Sequence, residues 1–367
     1  MASTSTDRPG YFPALDGLRL LASVNIVLMH LNSSWCLGTV NEWPVISSLV
    51  TGPAFSATLF FVLGGFIFFH QLSAKAESFH LGRFLWSRFR KLYPLHVLTL
   101  GLMVFVIFYR NQYQDDWTFL VKSALMHLSL LWAFDPLSWL SLNEPSWALT
   151  PFFLAYATLG FLLKPLARET RSPMLLGILF LTLVPSIIFS FVYLQIAKSP
   201  NAYAQFHVFP LLRIFEFYFG MVLARLFQLH GDAMREWIKA PWRDLALVLG
   251  FVSTYFIVLL KWKHGILLSW LGPHLFLLLA YGWILWFLSL GGGSVSRLFS
   301  LKLVAAVGRS SFYPYLWHLP LISIVIIVSQ ELGFRGFFKL WWQPIVFLVL
   351  LYGLSAIHLR VKTKVKS

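Results

Sequence analysis

Charged residues are scarce in this sequence: Asp, Glu, Lys and Arg make up 12% of its 367 residues, about half the share found in soluble domains. Apolar residues make up 58% and aromatic residues 18%, including 16 Trp and 13 Tyr. Trp and Tyr are enriched at the two water interfaces of a membrane. The composition therefore excludes an ordinary soluble protein and predicts a polytopic, all-α membrane protein.

Cysteine and acidic residues are also few. The single cysteine, Cys36, excludes an internal disulfide and a cysteine-based metal cluster. The 29 Lys and Arg against 14 Asp and Glu give a net charge of +15, which we interpret as an orientation signal in the membrane rather than a nucleic-acid surface. We expect membrane lipids, and no nucleic acid, as partners.

Ten apolar stretches each approach the length that a bilayer core demands. They are residues 15–35, 49–71, 93–109, 145–163, 173–195, 207–228, 244–260, 266–288, 312–329 and 341–358. A further apolar stretch, Phe119–Phe134, contains Lys122 and His127. It is either an eleventh span or a shorter re-entrant segment.

The distribution of Lys and Arg favours ten spans. With ten crossings, 21 of these residues lie on the cytoplasmic side, seven lie outside and Arg213 lies within a span. The outer seven are Arg110, Lys122, Lys198, Lys261, Lys263, Arg335 and Lys339. This asymmetry fits the positive-inside rule, whereas a crossing after residue 119 would invert every later loop.

The resulting prediction is one bundle of about ten transmembrane helices. Residues 1–14 are a short cytoplasmic N-terminus, 15–358 the membrane domain, and 359–367 a basic cytoplasmic tail. We expect the first span to be retained, because no convincing small-residue cleavage site follows it.

Arg19 and His30 lie within the first apolar span. They are eleven positions apart, about three helical turns or roughly 16 Å, so they face nearly the same way. Asp16, Ser23, Ser33 and Ser34 fall close to that direction. A polar stripe inside a membrane helix is costly unless it lines a cavity or meets partners. Arg19 could hold phosphate groups and His30 could accept a proton; alternatively they are an interfacial anchor and a packing residue.

A basic cluster, Arg83–Pro94, lies immediately cytoplasmic of the third span. Arg88 and Lys91 within it are three residues apart and share a helical face. Such a cluster can bind anionic lipid, set the topology or grip a phosphorylated cofactor.

Two later segments place further polar residues in the membrane. Arg213 and Glu216 are three apart, which predicts an ion pair, and Gly220 one turn later permits close approach of another backbone. Ser311, Tyr315 and His318 share a face of a later span. Each group has either a functional or a purely structural role.

Together these segments resemble the acyltransferase 3 family of integral-membrane acyltransferases over essentially the whole chain. Four matches carry the resemblance: Leu15-Asp-Gly-Leu-Arg19 followed by His30, the basic run before Tyr93-Pro94, Pro210–Gly220, and Tyr315-Leu-Trp-His318. They are similar to the family's Arg-x10-His, Arg-x-x-Arg, Arg-x-x-Glu-Phe-x-x-Gly, and closing tyrosine and histidine motifs.

The resemblance implies an enzyme that moves an acyl group, commonly acetyl, from cytoplasmic acyl-CoA to a hydroxyl of a carbohydrate, glycolipid or similar acceptor. It implies a bacterial inner-membrane location, acetyl-CoA or another acyl-CoA as donor, and no metal. The residues implied to hold the CoA phosphates are Arg19, Arg88 and Lys91, and His30 is the implied catalytic base. Tyr315 and His318 are implied catalytic residues that orient the acyl group or the acceptor, and Arg213 and Glu216 are implied to be structural or substrate-orienting. A covalent acyl intermediate on His30 is an alternative mechanism.

Two departures from the family pattern stand out. Lys91 replaces the second Arg of the cytoplasmic motif, which keeps the charge but loses the planar fork. Phe152 occupies a position where many members carry Glu. Either this branch dispenses with that carboxylate, or Asp135 or Glu144 replaces it, or the chemistry is altered. A transporter or lipid flippase, and a catalytically inactive family member, are the alternative functions.

Overall fold

The computed structural model describes residues 11–35, 54–110, 116–135, 138, 141–196, 208–261, 268–334 and 342–364, and these are helical with no strand among them. The α-helices are α1 (Pro13–Trp35), α2 (Ala54–Leu72), α3 (Leu81–Tyr109), α4 (Trp117–Leu128), α5 (Leu149–Arg168), α6 (Ser172–Ile196), α7 (Pro210–Trp237), α8 (Ala240–Lys261), α9 (Leu268–Leu290), α10 (Ser294–Phe299), α11 (Lys302–Arg309), α12 (Phe312–Glu331) and α13 (Gln343–Lys364). Short 3₁₀ helices cover Ser73–Ser78, Trp132–Phe134 and Glu144–Ala148.

The described helices fit a membrane protein, but they do not confirm about ten crossings. Five are long and apolar enough to cross a membrane by length and composition: Pro13–Asn32, Ser56–Ser78, Leu81–Tyr109, Glu144–Arg168 and Phe312–Glu331. The described part of each of the ten predicted spans falls on a helix, and residues 49–53, 207, 266–267 and 341 lie outside the described residues. In α6, α9 and α13 the described apolar stretch is shorter, and α7 carries several charges.

Helices α2 and α7 form the centre of the bundle and cross closely. At Gly220 a Cβ atom would lie 2.0 Å from the carbonyl oxygen of Val62, and at Gly65 one would lie 1.8 Å from that of Phe217. Only glycine permits this approach, which the sequence predicts at Gly220. Large aromatic side chains on both helices, Phe66 and Phe217 among them, are fully buried around the crossing.

The stretch after α3 does not form a long helix. Helix α4 has 12 residues and rises about 18 Å, less than the bilayer core requires. The Tyr93 hydroxyl of α3 donates to the carbonyl of Leu128, the last residue of α4 (2.8 Å). Thr150 of α5 donates to the carbonyl of Leu130, just after α4 (2.8 Å). This geometry fits the shorter, re-entrant option for Phe119–Phe134.

Buried polar side chains support the turns that follow α4. The Trp132 ring stacks on the His96 ring (5.1 Å between centroids) and on the His127 ring (4.4 Å). Asn143 donates to Thr99 (3.2 Å) and to the Leu316 carbonyl (3.3 Å). These bonds hold the turn at Asn143 against α3 and α12.

Ion pairs join the C-terminal ends of α2 and α5. Glu77, just after α2, pairs with Lys164 (2.6 Å) and with Arg168 (2.7 Å) at the end of α5. The two helices therefore run in the same direction, and Phe68 and Phe61 of α2 contact Tyr156 and Phe152 of α5 in the same order.

Candidate active site

A cavity of about 170 Å³ opens among α1, α2, α3, α5 and the start of α12. Residues from all of these helices, and Arg309 of α11, form its wall. They are Arg19, Ile26, Ala57, Phe60, Phe61, Gly64, Phe68, Arg88, Lys91, Leu92, Ala148, Leu149, Phe152, Tyr156, Arg309, Ser311, Phe312 and Tyr315. Its described wall has cations at one end and is otherwise mostly apolar.

The four cations of the cavity mouth are Arg19, Arg88, Lys91 and Arg309, which come from three separate helices. The Arg88 guanidinium lies over the rings of Phe68 and Phe84, 5.1 Å from each centroid. Its buried Nε has no hydrogen-bond partner among the described residues. A cluster of this charge and geometry suits an anion with several oxygens, such as a phosphate.

Asp16 organises two of these cations. Its carboxylate is buried (3% exposed) and accepts from Arg19 (2.8 Å) and from the Tyr11 hydroxyl (2.7 Å). Arg309 also donates to Tyr11 and lies 3.9 Å from Asp16. Burial, and then the Asp16 carboxylate, raise the pKa of Tyr11, so this phenol stays protonated and continues to donate.

Close backbone contact brings Arg309 to the mouth. At Gly308, a Cβ atom would lie 1.8 Å from the carbonyl oxygen of Asp16. Helix α11 can therefore approach α1 only with glycine at this position. The next residue, Arg309, lies directly beside Asp16 and the cavity.

Two histidines form a pair behind the cavity wall. The rings of His30 on α1 and His318 on α12 lie 4.8 Å apart between centroids, and both side chains are buried. The Nδ1 of His30 bonds the carbonyl of Ile26 (2.9 Å), and the Nδ1 of His318 bonds that of Pro314 (3.2 Å).

These backbone bonds decide which nitrogen of each neutral imidazole carries the proton. A carbonyl oxygen can only accept, so both Nδ1 atoms carry hydrogen and both Nε2 atoms keep a lone pair. The Nε2 of His318 has no hydrogen-bond partner among the described residues. The two rings that carry these nitrogens lie 4.8 Å apart between centroids.

Neither imidazole belongs to the wall of the cavity, although each has a neighbour that does. Ile26 is one helical turn before His30, and Tyr315 is one turn before His318. The ring of Tyr315 lies 6.1 Å from that of His318, and its hydroxyl donates to the carbonyl of Pro145. The structure therefore gathers six of the sequence-predicted residues, Arg19, Arg88, Lys91, Tyr315, His30 and His318, around one cavity.

Arg213 and Glu216 form a separate buried network. They pair at 2.5 Å, as their spacing predicts, and Thr58 bonds both side chains. The Arg213 guanidinium also lies 5.7 Å from the centre of the Trp147 ring. Neither charged residue lines the cavity, but Thr58 follows the wall residue Ala57 in α2.

Comparison with known proteins identifies the family. A family model described as an acyltransferase domain, acyltransferase 3, matches residues 12–360. The chain belongs to the acyltransferase 3 family. This membership and the apolar helices support a membrane acyltransferase, and the match gives no support to the transporter and flippase alternatives.

Two curated relatives share this assignment at low identity. The peptidoglycan O-acetyltransferase OatA of Listeria monocytogenes is 24% identical over 337 residues, covering 87% of this chain and 51% of OatA. The acyltransferase MdmB of Streptomyces mycarofaciens is 27% identical over 150 residues, covering 40% of this chain and 38% of MdmB. The matches thus extend over about half or less of each relative. No solved structure matches the chain significantly.

Phe152 is part of the cavity wall and is stacked on Phe61 with 4.3 Å between ring centroids. The two carboxylates considered as substitutes for the family's Glu lie elsewhere. Asp135 pairs with Lys122 (2.9 Å), and neither Asp135 nor Glu144 lines the cavity. At Phe152 the cavity wall is therefore an aromatic ring, and neither of those carboxylates replaces it there.

The sequence patterns did not indicate Arg309 as a site residue. They placed Asp16 on the polar stripe of the first span and assigned it no further role. The available signal for Arg309 was its position two residues before Ser311, within the segment already singled out. Its contact with Asp16 joins residues 293 positions apart in sequence, which no local pattern predicts.

Proposed function

We propose that this acyltransferase moves an acyl group from cytoplasmic acyl-CoA to a hydroxyl of a carbohydrate, glycolipid or similar acceptor, with acetyl as the preferred group. The observation that carries the proposal is the cavity itself: four cations surround its mouth, its interior is apolar, and the His30–His318 pair lies behind its wall. Acyl-CoA has the matching layout of phosphates at one end and a thioester at the other.

In this mechanism, Arg19, Arg88, Lys91 and Arg309 hold the phosphates of the donor by charge-assisted hydrogen bonds. The Nε2 of His30 removes the acceptor's hydroxyl proton while the oxygen attacks the thioester carbonyl. The new carbon–oxygen bond replaces the carbon–sulfur bond, and the departing thiolate takes up the proton as free CoA. Tyr315 and His318 orient the reacting groups.

The proposed acceptor class rests on a relative, and the proposed side of its approach rests on the positions of Arg19 and His30 along α1. OatA is named for O-acetylation of peptidoglycan, a carbohydrate polymer. Since His30 lies deeper along α1 than Arg19, a donor held at the mouth would meet an acceptor that approaches from the opposite side. Our proposal therefore includes transfer across the membrane.

The topology belongs to the same proposal. We place about ten helices across a bacterial inner membrane, with both termini in the cytoplasm, because this orientation leaves 21 Lys and Arg inside and seven outside. It puts the cationic mouth on the side where acyl-CoA is available.

The test of donor binding is a variant with both Arg88→Gln and Lys91→Gln, measured by isothermal titration with acetyl-CoA. Each good charge-assisted contact contributes roughly 1.5 to 3 kcal/mol, or about ten- to a hundredfold in affinity. We expect a loss of at least about tenfold, and added salt should reproduce part of it in the unmodified protein.

Arg90→Gln is the matched control, because Arg90 lies on the same helix but packs over Trp86 (5.9 Å) and does not line the cavity. It should leave acetyl-CoA affinity nearly unchanged. Unchanged affinity in the double variant would instead assign the cluster to topology or lipid binding.

A further inference from the structure

The depth of the cavity can be measured along α2. Phe68 lies beside Arg88 at the mouth, 5.1 Å from the guanidinium carbon to the ring centre. Ala57 also lines the cavity, eleven residues earlier in α2, which corresponds to about 16 Å. Helix α5 runs parallel to α2, so its wall residues follow the same order, with Tyr156 nearer the mouth and Phe152 deeper.

Aromatic rings form the wall at this deeper level. Phe152 stacks on Phe61 at an interplanar angle of 25°, and Phe61 continues to Trp147, 6.0 Å away. Gly64 lies beneath the Phe152 ring: a Cβ atom at Gly64 would be 3.1 Å from Phe152 Cε1. The ring is therefore held against the helix backbone with no spare room on that side.

We propose that Phe152, packed over Gly64 and stacked on Phe61, restricts the acyl group of the donor to a short chain. This inference rests on the proposed function, because it assumes that an acyl-CoA enters the cavity. The wall at this depth offers an acyl chain aromatic rings, and no charged side chain among the described residues lines it there.

The size of the cavity supports the restriction. Its volume of about 170 Å³ compares with the roughly 150 Å³ of an engineered protein cavity that holds one benzene molecule. This space must accept the thioester end of the donor as well as the acyl group. An acetyl or similarly small group fits these limits, whereas a fatty acyl chain does not.

The test compares the dissociation constants of CoA, acetyl-CoA, butyryl-CoA and octanoyl-CoA for the full chain in lipid nanodiscs. The unmodified protein should bind acetyl-CoA at least about tenfold more tightly than octanoyl-CoA, since even one methylene changes discrimination by about 10- to 200-fold in an apolar pocket. CoA, which has no acyl group, reports on the cationic mouth alone.

Two substitutions should shift this preference in opposite directions. Phe152→Ala removes most of the ring and should reduce the discrimination against octanoyl-CoA by about tenfold or more. Gly64→Ala pushes the ring toward the cavity and should weaken butyryl-CoA more than acetyl-CoA. Phe152→Leu is a second, less disruptive enlargement in case the alanine variant fails to fold.

Phe153→Ala is the matched control, because Phe153 is the next residue of α5, is also partly buried, and does not line the cavity. It should leave all the affinity ratios unchanged. The inference is overturned if the unmodified protein binds acetyl-CoA and octanoyl-CoA equally, or if neither Phe152 nor Gly64 substitutions shift the ratios. Failure of folded, unmodified protein to bind any of the four would overturn the proposed function as well.

Discussion

At the scale of single residues, the bond between His30 Nδ1 and the carbonyl of Ile26 explains how a buried imidazole can serve as a base. It leaves the lone pair on Nε2 and fixes the orientation of the ring. His318 on α12 makes the same kind of bond to the carbonyl of Pro314, and its ring centre lies 4.8 Å from that of His30. The helical backbone therefore orients both imidazole rings.

Replacement of His30 by Ala should lower acyl transfer by about 100- to 10,000-fold, the usual contribution of a positioned acid–base group. Because His30 does not touch the cationic mouth, acetyl-CoA affinity should change little. Transfer can be followed with labelled acetyl-CoA and candidate glycans, with thermal unfolding as the check on folding.

Equal transfer rates in the two proteins would remove His30 from the mechanism. Mass spectrometry of the unmodified protein incubated with acetyl-CoA and no acceptor addresses the covalent alternative. Acetylation found on His30 under those conditions would replace the general-base mechanism with an acyl-enzyme one.

At the scale of elements, the crossing of α2 and α7 holds the site together. Helix α2 contributes Phe61, Gly64 and Phe68 to the cavity wall, and α7 contributes the buried Arg213–Glu216 pair that bonds Thr58 of α2. The backbones meet at Gly220, so a change in their separation would shift the wall and the ion pair together.

Gly220→Ala should therefore destabilise the bundle. Its Cβ would lie 2.0 Å from the Val62 carbonyl oxygen, and overpacking of this kind costs about 1 to 3 kcal/mol in free energy of unfolding. We expect a lower thermal unfolding temperature in detergent and reduced transfer activity.

Gly101→Ala is the comparison for that variant, because Gly101 is also within a helix but has no atom within 4 Å of the added Cβ. Alanine is favoured over glycine in a helix by about 0.5 to 1 kcal/mol, so this change should be neutral or stabilising. Equal effects of the two substitutions would show that the close crossing does not limit stability.

At the scale of the whole molecule, orientation in the membrane follows from charge rather than from packing. The apolar residues of a membrane helix do not determine which of its ends faces the cytoplasm. The loops decide this, because those rich in Lys and Arg remain on the cytoplasmic side. The proposed topology places the cationic mouth there and gives both termini the same location.

Single cysteines introduced near Gly10 and Thr363, with Cys36 replaced, test this orientation. Both should be protected from membrane-impermeant thiol reagents in intact cells and become reactive after lysis. A cysteine placed in the predicted outer loop, at Lys198, should react without lysis and serves as the positive control. Labelling of either terminus in intact cells would contradict the ten-span topology.

The sequence alone was sufficient for the features that depend on composition and local spacing. Scarce charge and long apolar stretches indicated a helical membrane protein, the i, i+3 spacing predicted the Arg213–Glu216 pair, and a single glycine predicted the close crossing at Gly220. The four motifs together indicated the family, because each has its own spacing along the chain.

Only the tertiary structure decided which distant residues meet. It brought Arg309 beside Asp16, placed His318 against His30, put Phe152 in the cavity wall, and showed α4 to be a helix of 12 residues. Apolar helices in a membrane are alike in hydrophobicity, so packing between helices depends on side-chain shape, small residues and polar contacts. These are properties of surfaces that exist only after the helices have assembled, which is why linear patterns could not predict them.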